Sequence, residues 1–201
     1  MEHGKGGSGT SQPRRGGRRL GRADWTEAAL AAIREGGVAA VVVEALAEQL
    51  GATKGSFYWH FRDRGALVEA ALEAWEQQQT TEVIEHLRTI DDPGARLRRL
   101  FELAFQQQAG GDTHAALLAD AANPLVGPVL ARVTRRRLAF LTEAFTDLGL
   151  SPDRAGQRAL VAYTAYVGYF ELRRAAPAAT PADPDAAAPY LDHLLHLLAS
   201  S

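Results

Sequence analysis

The sequence of 201 residues contains no cysteine. This absence excludes disulfide bonds, thiolate nucleophiles and cysteine-ligated zinc or iron–sulfur sites. Long apolar runs are also missing: none exceeds the six residues from Val38 to Val43, whereas a transmembrane helix needs roughly 20. No apolar segment follows the arginines near the start, so they do not form an export signal. We therefore expect a soluble, cytoplasmic protein of one or two domains.

Charge is nearly balanced overall but unevenly distributed along the chain. The formal net charge is −2, with 22 basic and 24 acidic residues. Residues 1–24 carry a net charge of +4, residues 25–66 carry −1, and residues 67–201 carry −5. A basic front end and an acidic remainder fit contact with a polyanion at one end. A solvated basic tail without a partner is the alternative.

The spacing of apolar residues predicts an all-α fold. Residues 1–21 are rich in Gly, Ser and Arg and carry too little apolar surface to fold by themselves. Asp24 and Glu27 have capping-box spacing, which predicts that Asp24 caps the first helix. No segment shows a convincing strand period. The predicted helices cover about 24–36, 43–50, 54–60, 63–87, 93–109, 114–122, 128–148, 152–174 and 190–199, with a loop at 177–189.

The most informative segment is a pair of short helices joined by the tight turn Gly51-Ala52-Thr53. This arrangement is typical of a helix-turn-helix. On the second helix, Phe57 and Phe61 share the side that faces a core, while the opposite side presents Gly55 and Trp59. Exposed rings beside a lysine and a bare glycine indicate a docking surface. Its edges carry Lys54, Ser56, Tyr58 and His60.

The segment Leu50 to Phe61, LGATKGSFYWHF, followed by Arg64 and Leu67, resembles the DNA-binding region of the TetR family of bacterial transcriptional regulators. The resemblance covers about residues 24–72 and includes Gly36-Gly37 and the stretch from Val43 to Ala47. It implies a C-terminal helical domain that dimerises and encloses a small-molecule pocket. Val42 departs from the pattern, because it stands where the family usually has a capping Thr or Ser.

We predict three regions: a basic arm at 1–22, a helix-turn-helix domain at 23–68, and an effector-binding and dimerisation domain at 69–201. Lysine, arginine and tyrosine side chains are expected to bind phosphates, and the other side chains to face the groove. The arm is expected to reach the adjacent minor groove or backbone. The predicted DNA-binding residues are Thr53, Lys54, Gly55, Ser56, Tyr58, Trp59, His60, Arg64, Arg18, Arg19 and Arg22.

The helix at 152–174 is apolar on two sides, and both sides must be buried. We predict that one side meets a second copy of the chain, together with the leucine-rich last helix. The predicted interface consists of Ala162, Tyr166, Tyr169, Leu194 and Leu198. A larger monomeric core is the alternative.

Several aromatic and polar residues of the C-terminal region are candidates for a ligand pocket. They are Trp75, Gln78, Phe101, Phe105, His114, Asn123, Phe140 and Tyr163; ordinary core packing or exposure is the alternative for each. His193 and His196 have metal-ligand spacing but no evident third ligand, so we predict a surface pair, no metal site and no cofactor. Arg135-Arg136-Arg137 is expected on a solvated face, with pairing to acidic neighbours as the alternative.

The sequence thus predicts a ligand-responsive, DNA-binding repressor released from its operator by a small molecule. It shows no nucleophile–base pair, carboxylate pair or phosphate loop, and we predict no catalytic residues. The alternative is a helical small-molecule carrier or enzyme whose front domain does not bind DNA. An activator, or a regulator without a ligand, is a further alternative.

Overall fold

The structure is a computed structural model that describes residues 20–106, 113–181 and 184–199. Within these ranges every regular element is helical, which confirms the predicted all-α fold. Short 3-10 turns lie at Val38–Ala40 and Pro177–Ala179. The helices are α1 Arg22–Gly36, α2 Val43–Gln49, α3 Lys54–Tyr58, α4 Arg64–Glu76, α5 Glu82–Arg88, α6 Pro93–Gln106, α7 Thr113–Ala119, α8 Val126–Asp147, α9 Pro152–Ala175 and α10 Pro184–Ala199.

The front core joins α1, α2, α3 and α4. Trp25, Ile33 and Phe57 are completely buried in it, and the rings of Trp25 and Phe57 meet edge to face at 5.4 Å. Burial of such large side chains is the main force that holds the short α3 in place, because five residues cannot form a stable helix alone. The same core continues to Leu117 of α7 and Val133 of α8. The front helices are therefore packed directly against the rest of the chain.

Local sequence signals explain where the short helices begin. The Thr53 hydroxyl accepts a hydrogen bond from the Ser56 N–H at 3.2 Å, and the Asp63 carboxylate accepts one from the Ala66 N–H at 2.8 Å. Both are N-cap contacts. Gly51 adopts φ +63°, a conformation that favours glycine, in the turn between α2 and α3. Val42 precedes α2 without a side-chain cap.

Helix α1 begins earlier than predicted. Its N-cap is Gly21, and Asp24 lies at the third helical position rather than at the cap. The Asp24 carboxylate reaches back and accepts a hydrogen bond from the Gly21 N–H at 2.7 Å. Asp24 therefore supplies the second half of a capping box, and a glycine takes the place of the usual hydroxyl residue.

The long helix predicted from Asp63 to Leu87 is present but interrupted. A π-helical turn at Gln77–Thr81 lies between α4 and α5. Such turns widen the helix locally and occur often at functional sites. Thr80 in this turn is buried, although its neighbours Gln77 and Gln78 are exposed.

The second core joins α6, the end of α8, α9 and α10. Phe105, Phe145 and Phe170 are buried there, with Leu198 of the last helix. Helix α10 starts at Pro184 and contains Pro189, so part of the predicted 177–189 loop is helical. The antiparallel pair α8 and α9 makes the most extensive helix contact of the chain's described part.

Candidate nucleic-acid interface and ligand cleft

Two aromatic side chains at the end of helix α3, Tyr58 and Trp59, are exposed to solvent. Trp59 is 87% exposed and Tyr58 is 56% exposed, whereas Phe57 and Phe61 are buried. The partition follows from helical periodicity, since Phe57 and Phe61 are one turn apart. An exposed tryptophan is a costly surface feature unless a partner covers it. The two exposed rings lie on the side that the sequence predicts, and that side is open to a partner.

Lys54 lies at the start of α3 and forms an ion pair with Glu44 of α2. The hydrogen bond from Lys54 lowers the pKa of Glu44, and the same bond raises the pKa of Lys54. Both side chains are more than half exposed. Exposed pairs of this kind contribute little to stability and are screened by salt. A phosphate can therefore replace Glu44 as the partner of Lys54.

Steric crowding within the chain does not require a glycine at position 55. A Cβ built there would lie 3.7 Å from the Thr53 hydroxyl, an ordinary van der Waals distance. The residue is exposed on the same surface as Tyr58 and Trp59. The fold therefore tolerates a side chain at this position, and the missing one leaves space in front of the helix.

Arg64 also holds a backbone segment in place. Its guanidinium donates hydrogen bonds to the carbonyl oxygens of Val41, at 2.6 Å, and of Val38. These bonds fix the segment that leads into α2. Because backbone carbonyls accept two of its N–H donors, Arg64 is a structural clamp. It is exposed and keeps further donors, so its role as a phosphate ligand stays a prediction.

A second group holds the same segment from the other side. The Asp120 carboxylate, after α7, accepts a hydrogen bond from the Val38 N–H at 2.6 Å. Gly37 packs against this carboxylate with φ +69°, and a Cβ there would lie 2.6 Å from an Asp120 oxygen. The entry to α2 is thus tied to α4 through Arg64 and to α7 through Asp120.

The predicted arm contacts divide into two groups. Arg22 lies in α1, where its guanidinium donates to the His60 carbonyl at 2.8 Å and stacks over the Phe61 ring at 4.2 Å. Arg22 is therefore held against the end of α3 rather than extended from an arm. Arg18 and Arg19 lie outside the described residues.

A largely apolar cleft opens among α5, α6, α8 and α9, next to the π-helical turn. Its cavity volume is about 80 Å³. Arg137 is the charged side chain among its walls. The lining residues are Gln79, Thr80, Val83, Ile84, Leu100, Phe101, Leu103, Ala104, Arg137, Phe140, Leu141, Ala162, Tyr163 and Tyr166.

Of the predicted pocket residues, Phe101, Phe140 and Tyr163 line this cleft. Trp75 and His114 lie behind it, stacked at 5.9 Å, with Tyr166 on the other face of the imidazole at 5.8 Å. The other three lie away from its walls. Phe105 packs in the second core, Gln78 is exposed on the π-helical turn, and Asn123 caps the Leu125 N–H in the loop before α8.

The buried histidine is uncharged near neutral pH. Burial, and then the positive charge of Arg137, lower the pKa of His114 from 6.5 to about 3. Its ring consequently acts as an aromatic spacer between Trp75 and Tyr166. His193 and His196 lie exposed on α10, and the described part of the chain brings no three metal-ligating side chains together.

The predicted dimer residues face inward, which corrects their assignment. Tyr169, Leu194 and Leu198 are buried in the second core of the same chain, and Ala162 and Tyr166 line the cleft. The other side of α9 is the exposed one, with Leu160, Val161 and Leu172 about half exposed, and Leu197 of α10 is exposed as well. Both sides of α9 are apolar, so sequence periodicity could not tell which one the chain itself buries.

Sequence reasoning also missed the polar residues at the cleft. Arg136 and Arg137 are not simply solvated: Arg136 bonds Glu76 and Thr81, and Arg137 bonds Thr80 and the Gln79 carbonyl. No local signal marks Gln77–Thr81 as a π-helical turn. Arg132 and Arg136 of α8 bond Glu76 of α4, which lies some sixty residues earlier in the chain. Only the packing of α4 against α8 brings these charges together.

Comparison with known proteins agrees with this geometry. Residues 26–71 match the family model for bacterial regulatory proteins of the tetR family. No curated protein matches the sequence. None of the described helices has the length and apolarity needed to cross a membrane.

Solved structures share the fold over nearly the full length. The reduced form of E. coli NemR superposes with a TM-score of 0.70 at 18% identity, covering 88% of this chain and 94% of that one. FadR from Bacillus subtilis, solved with stearoyl-CoA, gives 0.66 at 17% identity and covers 89% and 97%. A TetR-family regulator from Cytophaga hutchinsonii gives 0.63 at 17% identity and covers 89% and 90%. Residues 26–71 therefore match the tetR family model, and the chain shares its all-helical fold with these solved structures.

Proposed function

We propose that this protein is a ligand-responsive repressor that inserts helix α3 into the major groove of its operator. The observation that carries the proposal is the outward face of α3, where Tyr58 and Trp59 are exposed while Phe57 and Phe61 anchor the helix. The major groove accommodates a helix with side chains reaching the base edges. The match to a family of DNA-binding regulators supports the same assignment.

The side chains of this face contact different parts of the DNA according to their chemistry. Lys54 exchanges Glu44 for a phosphate, and the Tyr58 hydroxyl binds a second phosphate. Trp59 contacts bases or sugars in the groove, while the open space at Gly55 lets the backbone approach DNA. Thr53, Ser56 and His60 contribute polar contacts around this centre, and Thr53 also keeps its structural role as the cap of α3.

Arg22 contributes by position. Its hydrogen bond to His60 and its stacking on Phe61 brace the end of α3. We propose that the basic residues before it, including Arg18 and Arg19, contact the minor groove or backbone beside the recognition helix.

A second copy of the chain completes the DNA-binding unit. A twofold dimer places two recognition helices about one DNA turn apart, at roughly 34–36 Å or a multiple of it. We propose that the dimer forms through the exposed face of α9, which carries Leu160, Val161 and Leu172, and through Leu197 of α10. Thr164 and Gly168 lie on the same exposed face and are small enough for two helices to approach closely.

Light scattering tests this interface. The double variant Leu160→Glu/Leu172→Glu introduces charges at two exposed positions, so the monomer keeps its core, and we expect the dimeric mass to fall to the monomeric mass. Ala139→Glu, at an exposed position of α8, is the matched control and should stay dimeric. A wild-type chain that is monomeric at micromolar concentration would contradict the proposal.

The cleft provides the route for regulation. Helix α4 begins at Arg64, which holds the entry to α2, and ends at the π-helical turn that lines the cleft. It also crosses the proposed boundary between residues 23–68 and 69–201, and its apolar face belongs to the front core. A small molecule that binds the two conformations of this turn with different affinity shifts α4 and changes the separation of the recognition helices.

DNA binding is tested by fluorescence anisotropy with the DNA upstream of the protein's own coding region and a scrambled duplex of equal length. Lys54→Ala should weaken binding to both duplexes and reduce the slope of log affinity against log salt by about one. Arg135→Ala removes one exposed charge from α8 and should leave the slope unchanged. Equal slopes for Lys54→Ala and wild type would remove Lys54 from the contacts.

Sequence readout is tested separately with single-base variants of the operator. Trp59→Ala should change the order of preference among them, because Trp59 contacts the groove rather than phosphate. An unchanged order would exclude Trp59 as a reader. A wild-type protein that binds the upstream and scrambled duplexes equally would refute the regulator and favour a helical carrier.

A further inference from the structure

The cleft combines apolar walls with a single cation. Apolar side chains form most of its surface, and Arg137 and its hydrogen-bond partner Thr80 are both among the lining residues. A cleft of this composition accommodates an apolar body but repels a second cation. The charge of Arg137 therefore decides what kind of polar group a ligand can carry.

Arg137 is held by neutral groups. Its Nε donates to the Thr80 hydroxyl at 3.1 Å, its Nη2 donates to the Gln79 carbonyl at 3.0 Å, and the guanidinium lies 5.6 Å from the Trp75 ring centroid. In the described ranges no carboxylate forms an ion pair with it. A guanidinium has five N–H donors, so donors remain for a ligand.

The neighbouring arginines show the contrast. Arg132 bonds the Glu76 carboxylate at 3.0 Å, and Arg136 bonds the same carboxylate at 3.2 Å. Glu76, the buried acid closest to the π-helical turn in sequence, is thus shared by two other cations. Removing a charge from water without an opposite charge is unfavourable. The half-buried Arg137 therefore provides charge complementarity for an anion.

We propose that the cleft binds an amphipathic anion, with a carboxylate or phosphate head group at Arg137 and an apolar body among Val83, Leu103 and Phe140. This inference deepens the proposed function, on which its regulatory part rests, by naming the chemical class of the effector. The head group bonds the donors of Arg137 that the protein leaves available, and the body removes apolar surface from water.

The same contact gives the ligand access to the π-helical turn. Thr80 and Gln79, the partners of Arg137, both belong to this turn. Because Arg137 would then bond both the head group and these two residues, an anion that shifts the guanidinium also shifts the connection between α8 and the end of α4. The turn is therefore the element through which occupancy of the cleft reaches the front helices.

Calorimetry on the full chain without DNA tests the head group, using decanoate, decyl phosphate, decanol and decyltrimethylammonium below their aggregation concentrations. We expect the two anions to bind at least about tenfold more tightly than decanol, as a hydrogen-bonded ion pair predicts, and the ammonium to bind most weakly. The tighter of the two anions identifies the preferred head group. Decanol or the ammonium binding as tightly as the anions, or no binding of any probe, would overturn the proposal.

Variants identify the residue. Arg137→Gln should lower the affinity for the anions at least about tenfold and leave decanol unchanged, whereas Arg135→Gln, an equal loss of charge on exposed α8, should change neither. Arg137→Lys retains the charge and should bind the anions more tightly than Arg137→Gln. If Arg137→Gln does not fold, the wild-type head-group series and the lysine variant decide. Anion affinity in Arg137→Lys that stays above the affinity for decanol would support the proposal, and wild-type affinities independent of head group would refute it.

The readouts separate this inference from the proposed function. Anion binding in calorimetry without any DNA preference in anisotropy would refute the repressor and retain the ligand class. Specific DNA binding without head-group selectivity would retain the repressor and refute the ligand class. When both hold, decanoate or decyl phosphate should weaken operator binding by the wild type and not by Arg137→Gln.

Discussion

The buried imidazole of His114 makes a quantitative prediction about stability and pH. Its pKa falls from 6.5 to about 3 in the folded chain, because of burial and then the charge of Arg137. Below pH 6.5 the unfolded chain therefore binds a proton that the folded chain does not, and stability falls as the pH falls toward 3. At pH 5.0 the loss amounts to about 2 kcal/mol relative to pH 7.5.

The substitution His114→Phe removes the titrating group and keeps a flat ring between Trp75 and Tyr166. Urea unfolding at pH 7.5 and 5.0, at one protein concentration, gives the free energy of unfolding for each chain. Wild type should lose about 2 kcal/mol more between these pH values than His114→Phe. All other titrating groups are common to the two chains and cancel in this difference.

A second variant, His114→Leu, checks that the ring itself does not cause the difference, and it should show the same reduced pH dependence. Equal losses for wild type and both variants would refute the reasoning. Such a result would mean that the imidazole is protonated in the folded chain at pH 5.0, despite its burial and the nearby guanidinium.

Two further predictions concern the front helices. Gly55→Ala should raise stability by up to about 1 kcal/mol in urea unfolding while weakening operator binding in anisotropy. The control Gly156→Ala, whose Cβ would meet no atom within 4 Å, should stabilise the chain without affecting DNA binding. Unchanged operator affinity in Gly55→Ala would show that DNA does not approach this glycine. Asp120→Ala removes the acceptor of the Val38 N–H and should lower the free energy of unfolding by about 1–3 kcal/mol, with Asp120→Asn intermediate; wild-type stability in the alanine variant would show that the contact does not hold the segment.

The helix-turn-helix was predictable because its signals are local. Thr53 and Asp63 cap the helices that follow them, Gly51 forms the turn, and the spacing of Phe57 and Phe61 determines which side of α3 is buried. Each signal acts between residues within about one helical turn, so it can be predicted from the sequence without knowledge of the tertiary structure. The exposure of Tyr58 and Trp59 follows from the same periodicity.

Contacts between distant segments were not predictable in this way. Arg64 has the sequence position of a phosphate ligand, yet the carbonyls of Val38 and Val41 lie within its reach once α4 packs beside α2. The side of α9 that a second copy would meet depends on where α8 and α10 lie. A sequence with two apolar helix sides contains no information about that choice.

The cleft contains residues that the sequence identified and residues that it did not. Phe101, Phe140 and Tyr163 were identifiable as aromatic wall residues, but the role of Arg137 depends on a π-helical turn that the sequence QQQTT does not mark. Phe101 and Phe105 both belong to the second core, but of the two only Phe101 also lines the cleft, because Phe105 lies one turn further along α6 and meets α9 and α10.

The exposure of Trp59 has an optical consequence. The other tryptophans are buried, Trp25 in the front core and Trp75 behind the cleft, so a water-soluble quencher such as acrylamide reaches the indole of Trp59 first. Shielding of that indole by a duplex would report operator binding, while the emission of Trp75, beside Arg137, would respond to occupancy of the cleft. The chain thus carries separate intrinsic fluorophores for the two events that a regulator must couple, and no external label is needed to follow them.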